Sequence, residues 1–241
     1  MRKLTHACAL ASAMALTLAV ACNPTGGVPI ELTLAFEGLG PRAFTTASGW
    51  DVELTEARAV LGPIYAYAPR DELTFRRLIG PSRAFAHGGH SALGDRLVRA
   101  EMLELSVIDA LQGNASDRAT LGGFAGSIDA LTLVLARPEE PNGPTQGHCV
   151  WVAGVATRDG VEVAFEGGLD LDEPALQRID GVAVSGALRE GSRLIVGADA
   201  RAWLAEADFT GGSITPGSQP HRALYLGARS AASWAARTEE P

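Results

Sequence analysis

From Val28 onward the chain alternates apolar and polar residues with a period of two. In VPIELTLAF (28–36), Val28, Ile30, Leu32, Leu34 and Phe36 are separated by Glu31, Thr33 and Ala35. Successive side chains of a strand point to opposite faces, so this pattern predicts a half-buried β-strand. Trp50, Val52 and Leu54 repeat it, and AVLGPIYAY (59–67) resumes strand character after an irregularity at Gly62-Pro63. Further strands are expected in 73–79, 101–108, 128–136, 149–157, 161–171, 178–188, 193–198 and 223–228. The run IDALTLVLA (128–136) is almost continuously apolar, which predicts a mid-sheet strand covered on both faces. Only DARAWLAEADF (199–209) reads as a helix of any length.

The 28 glycines and 13 prolines that punctuate these short strands favour an all-β fold over an α/β one. The expectation is a single domain over 29–236, an antiparallel β-sandwich or partly open barrel with one short helix near 199–209, ending in a frayed tail at 237–241. Apolar residues make up 46% of the chain, enough for a sizeable core.

Residues 1–21 do not belong to that fold. Arg2 and Lys3 precede an apolar run of about 15 residues, shorter than the roughly 20 that span a bilayer as a helix, which reads as a secretory signal peptide. Ala19, Val20 and Ala21 before Cys22 resemble the bacterial lipobox, with Ala19 where leucine is usual. The resemblance implies that Cys22 becomes the lipidated first residue of the mature chain, with 22–28 as anchor and tether; an ordinary signal peptide cut near Ala21 would leave Cys22 free. Asn23 is not aspartate, so general sorting behaviour places the anchor in the outer rather than the inner membrane. The expected address is the bacterial cell envelope, facing periplasm or surface.

Once Cys8 has left with the signal and Cys22 carries lipid, Cys149 has no intramolecular partner. Without Arg2 and Lys3, 18 of the 20 basic residues remain against 28 acidic ones, a formal charge of −10. That balance excludes nucleic acid, whose binding relies on neutralised phosphates.

Asp159-Gly160 lies between two β-rich runs, the strongest short hairpin signal. If these two residues make the turn, Arg158 faces Val161 and the remaining pairs follow. Val150 with Leu169, Val152 with Gly167, Gly154 with Phe165 and Ala156 with Val163 form the core side. Cys149 with Asp170, Trp151 with Gly168, Ala153 with Glu166 and Thr157 with Glu162 form the other. Trp151 is then either covered by another segment or part of a surface site. His148, Cys149, Asp170 and Asp172 gather at one sheet end, although His148 and Cys149 should point to opposite faces.

In AHGGHS, His87 and His90 flank Gly88-Gly89. A two-residue turn there would pair the imidazoles across a hairpin, with Cβ atoms about 5 Å apart. Two imidazoles make an incomplete metal site, so a third ligand would come from His148, His221, Cys149 or a carboxylate. The ligand types favour copper or zinc over calcium. The competing readings are a glycine-rich loop with solvated histidines and a pH-sensitive contact.

Catalytic signatures are missing: there is no His-Glu-x-x-His, Gly-x-Ser-x-Gly, P-loop or Cys-x-x-Cys. No enzyme is therefore expected.

The Gly49-Trp50 strand, LGPIYAY, LTLVLARPEEP and GHCVWVAGVATRDGVEVAFEGG together resemble the periplasmic β-proteins of methanobactin operons, over roughly residues 30 to 210. Trp151 and Gly154 match that family's tryptophan and glycine, while Ala153 and Val155 replace its second aromatic and its tyrosine. The resemblance implies the fold and a link to copper handling. The combined expectation is a lipid-anchored envelope binding protein taking copper or another transition metal. The site residues are His87, His90, His148 and Cys149 as ligands, with Trp151 and Asp170 beside them. The alternative is a metal-free lipoprotein engaging another envelope component.

Overall fold

The structure is a computed structural model and describes residues 27–70, 96–138 and 140–241. His87, His90 and Cys22 lie outside these residues, as does the strand expected over 73–79.

The fold is all-β, an open sheet of twelve strands. They are β1 (Pro29–Gly38), β2 (Ala43–Thr45), β3 (Asp51–Tyr67), β4 (Val98–Met102), β5 (Ser106–Asp109) and β6 (Ser116–Phe124). These are followed by β7 (Gly126–Leu135), β8 (Val150–Arg158), β9 (Val161–Leu169), β10 (Arg178–Leu188), β11 (Arg193–Ala198) and β12 (Trp234–Glu239). The main path runs β10-β7-β3-β4-β6-β1-β11-β12, with β2, β5 and β8 also on β3 and β9 on β8. Among the described residues all strand pairs but one are antiparallel; β1 and β11 run parallel, a non-local pairing that no turn signal announces.

The alternation in β1 buries Ile30, Leu32, Leu34 and Phe36. The two segments expected around Gly62-Pro63 form one long strand, β3, in which Gly62-Pro63 is a cis peptide and the register shifts between Leu61 and Ile64. One edge of β3 therefore serves β8 through residues 51–59 and β7 through 61–67. β7 sits mid-sheet, as its apolar run requires, with Leu131, Thr132 and Leu133 all buried.

The hairpin β8–β9 has the register deduced from its turn: Val150 pairs with Leu169, Trp151 with Gly168, and so on to Arg158 with Val161. Asp159 and Gly160 take positive φ values of 52° and 78°, the left-handed pair that a tight hairpin turn demands.

Three expectations are corrected in the C-terminal third. The helix near 199–209 shrinks to α2 (Ala200–Trp203), capped by Asp199, and a 3₁₀ turn at Phe209–Gly211; α1 is the short Pro174–Gln177. The longest helix is α3 (Gln219–Ala228), which takes in the 223–228 run expected to be a strand. Ser218 caps it by accepting from the His221 N–H, and Pro220, Ala223, Leu224 and Ala228 bury one helical face. The tail expected to fray forms β12, pairing Arg237 with Ile195 and Glu239 with Arg193. Arg237 also makes a two-pronged ion pair with the buried Glu37 of β1, and Arg193 bridges Asp117 and Glu239.

Candidate functional site

The open end of the β8–β9 hairpin carries the site. Residues 141–149 run through turns and bends, and the strand begins only at Val150. The period-two register therefore does not reach back to Cys149. Expected on the polar side, Cys149 is instead fully buried in the core. Burial raises the pKa of its thiol, and Asp170 and Asp172 add to the rise. A buried, protonated thiol is neither a ready nucleophile nor an open metal ligand.

His148 points the opposite way, as expected. The chain bends so that its imidazole lies over Gly168 of β9, where a Cβ would come within 2.2 Å of the ring. In the ladder Gly168 pairs with Trp151, as expected. Trp151 stacks on His148, with ring centroids 5.6 Å apart and planes 13° from parallel. His148 Nδ1 is 3.0 Å from Asp170 Oδ2. The hairpin register and the bend before it together bring His148, Trp151 and Asp170 to one place, with Nδ1 engaged by Asp170.

His148 forms a wall of two adjoining depressions. One, of about 440 Å³, is bounded by Glu56, Gln146, Trp151, Ala153 and Glu166. The other, of about 340 Å³, has Gly167 and Gly168 as its floor and is bounded by Asp170, Ile214, Pro216 and His221. His221 arrives on the first turn of α3. Its pKa is lowered, chiefly by burial and against the opposing pull of Asp170, so its imidazole is held towards the neutral, ligating form. From the sequence, His221 was one of several candidate third ligands, with no helix assigned to it. The cap at Ser218 followed by Pro220 was the signal that puts it on a helix end.

Asp172 is exposed and only 3.7 Å from Arg137, and is not among the residues that bound either depression. Among the described residues, no three His, Cys, Asp or Glu side chains are grouped so as to hold a metal ion.

No protein-family model matches the chain, and no curated protein matches it in sequence. Among solved structures the chain is similar to MbnP from Methylosinus trichosporium, with a TM-score of 0.39 and 11% identity over 83% of this chain and 88% of that one. At that TM-score and identity the resemblance is weak.

Proposed function

We propose that the protein is a lipid-anchored, non-catalytic binding protein of the bacterial cell envelope, and that it takes a transition metal, copper or zinc, at the His148 end of the β8–β9 hairpin. The observation that carries this reading is the His148 imidazole, tied through Nδ1 to Asp170 at 3.0 Å and stacked on Trp151. A carboxylate behind an imidazole fixes its tautomer and raises the basicity of the other nitrogen, the usual support of a metal-ligating histidine. His221 borders the same depression and supplies a second imidazole. His87 and His90 are the further ligands this reading calls for.

The envelope address rests on the signal peptide and Cys22. Attachment is assigned to lipid on Cys22; no helix among the described residues is long and apolar enough to cross a membrane. Replacing Cys22 with serine then abolishes acylation and releases the protein in soluble form.

The metal-free alternative, contact with another envelope component, draws support from the missing third ligand among the described residues. Titrating the domain from residue 23 with Cu and Zn, followed by calorimetry and elemental analysis, separates the two. The metal reading expects stoichiometric binding that His148→Ala abolishes and His87→Ala with His90→Ala weakens. No stoichiometric metal, or binding unchanged in both the His148→Ala and the paired His87→Ala, His90→Ala variants, leaves the alternative standing.

A further inference from the structure

The point where the chain enters the fold is apolar and uncovered. Val28 is 69% exposed and Phe124, at the end of β6, 38% exposed. They belong to one strand end: the Ala125 N–H donates to the Val28 carbonyl at 2.9 Å, and Pro29 pairs with Phe124. Gly27 passes directly over Phe124, since a Cβ on Gly27 would come within 2.9 Å of the Phe124 Cβ. Only four residues, Asn23 to Gly26, separate Gly27 from Cys22. At about 3.3–3.6 Å per residue, five steps of fully extended chain reach less than about 20 Å. An acyl chain on Cys22 therefore holds this strand end close to the bilayer.

We propose that the Val28–Phe124 end of the sheet rests on the lipid surface that holds the Cys22 anchor, so that the domain stands upright on the membrane. This rests on the lipid-anchor reading given above. The contact is apolar rather than electrostatic: Glu31 and Glu190 lie beside it, the Glu31 N–H donating to Glu190 Oε2 at 2.9 Å, and the mature domain is acidic. Two side chains cannot recruit a domain of this size to a membrane unaided. Held there by lipid, they need only orient it.

The orientation bears on the candidate site. β1 begins next to Val28 and runs ten residues from Pro29 to Gly38, about 30 Å at 3.3 Å per residue. Gly38 pairs with Ala198, from which the chain enters α2. The α3 helix packs on α2, with Gly227 directly against the Trp203 backbone. The helical end, which carries His221, is thereby the end away from the lipid, open to arriving ligands.

The test uses the acylated full-length protein in phosphatidylcholine vesicles. Single variants Val28→Cys, Phe124→Cys and Leu226→Cys are labelled with an environment-sensitive fluorophore; Leu226 is 58% exposed on α3, and the native Cys149, at 0% exposure, does not compete for label. Probes at 28 and 124 are expected to brighten several-fold on reconstitution and to be quenched by spin-labelled lipid, with the probe at 226 unchanged. Equal responses at all three positions, in protein that still floats with the vesicles, overturn the orientation and leave the anchor intact. Protein that does not float overturns the anchor and this proposal together.

Discussion

The two ends of the β8–β9 hairpin use similar residues in opposite ways. At the turn end, Arg158 donates to the Ser48 carbonyl at 3.0 Å and to Thr210 Oγ1 at 2.9 Å, and its guanidinium lies 4.5 Å over Trp50. The Trp50 indole donates to Asp208 Oδ1 at 3.0 Å, and Phe209 packs between Phe165 and Trp50. The named polar side chains there bond to other parts of the protein, tying the hairpin to the segment after α2. At the open end an aromatic and a carboxylate recur as Trp151 and Asp170, with the His148 imidazole where the turn end has a guanidinium, but among the described residues only one nitrogen of His148 is engaged. The polar groups of the turn end are used up in holding the fold, whereas those of the open end are oriented and left available. Being half-buried and aromatic does not distinguish the two ends; the hydrogen-bond inventory does.

If the turn end is structural, the largest loss of stability comes from its buried aromatic. Phe209→Ala is expected to cost about 3–5 kcal/mol in denaturant unfolding, as a fully buried Phe does when a cavity replaces it. A loss below about 1 kcal/mol would show that the clasp is not holding the hairpin. Next is Gly168→Ala at the open end. The new methyl group meets the His148 ring at 2.2 Å and must displace it. Because the His148 Cβ would also lie only 2.6 Å away, swinging the partly exposed ring is not enough and the chain at 148 must move with it, at an expected cost of about 1–3 kcal/mol. The His148 side-chain NMR signals should lose the ring-current shift of the Trp151 stack.

The turn end was also the legible end. Asp159-Gly160 fixes its own conformation and hence every pair of β8 with β9, so a local signal determined a nine-residue ladder. The same counting failed at Cys149, because the turns of 141–149 end the strand one residue earlier and a register carries no information past its last ladder bond. The His148 ring over Gly168 was invisible for the same reason: it comes from a bend and not from a strand position. At α3, the Tyr225-Leu226 run favours a strand locally, yet the Ser218 cap, Pro220 and the buried spacing at 220, 223, 224 and 228 make a helix. In the tail, Arg237 and Glu239 look soluble and uncommitted. Their partners, Glu37 and Arg193, are distant in sequence, so their pairing could not be read from local composition.

A pH profile gives a finer probe of the turn end. Asp208 has a lowered pKa, owing first to the Thr210 hydroxyl, then to the Thr210 and Trp50 N–H donors, with Arg158 adding a little. A carboxyl with a folded pKa below its unfolded value stabilises the fold above the unfolded pKa, about 3.9. That contribution is lost as pH falls through the folded pKa. Asp208→Asn is therefore expected to be less stable than wild type at pH 7, with the gap closing below about pH 4. A gap that stays constant from pH 7 to pH 3 would mean that the carboxylate charge is not what the clasp uses.

The smallest change in stability is expected from His148→Ala, and that near-absence of effect makes the contrast sharpest. The His148–Asp170 pair is about one-third exposed on each side, a setting in which ion pairs contribute from nothing to about 1 kcal/mol. The Trp151 stack is lost as well, but among the described residues the ring bonds to nothing besides Asp170. Unfolding in denaturant should therefore place His148→Ala within about 1 kcal/mol of wild type, while the metal titration registers complete loss. A penalty as large as that of Phe209→Ala would make His148 a clasp residue like Arg158. Both hairpin ends would then be structural, and the candidate site would have to be sought around His221 without it.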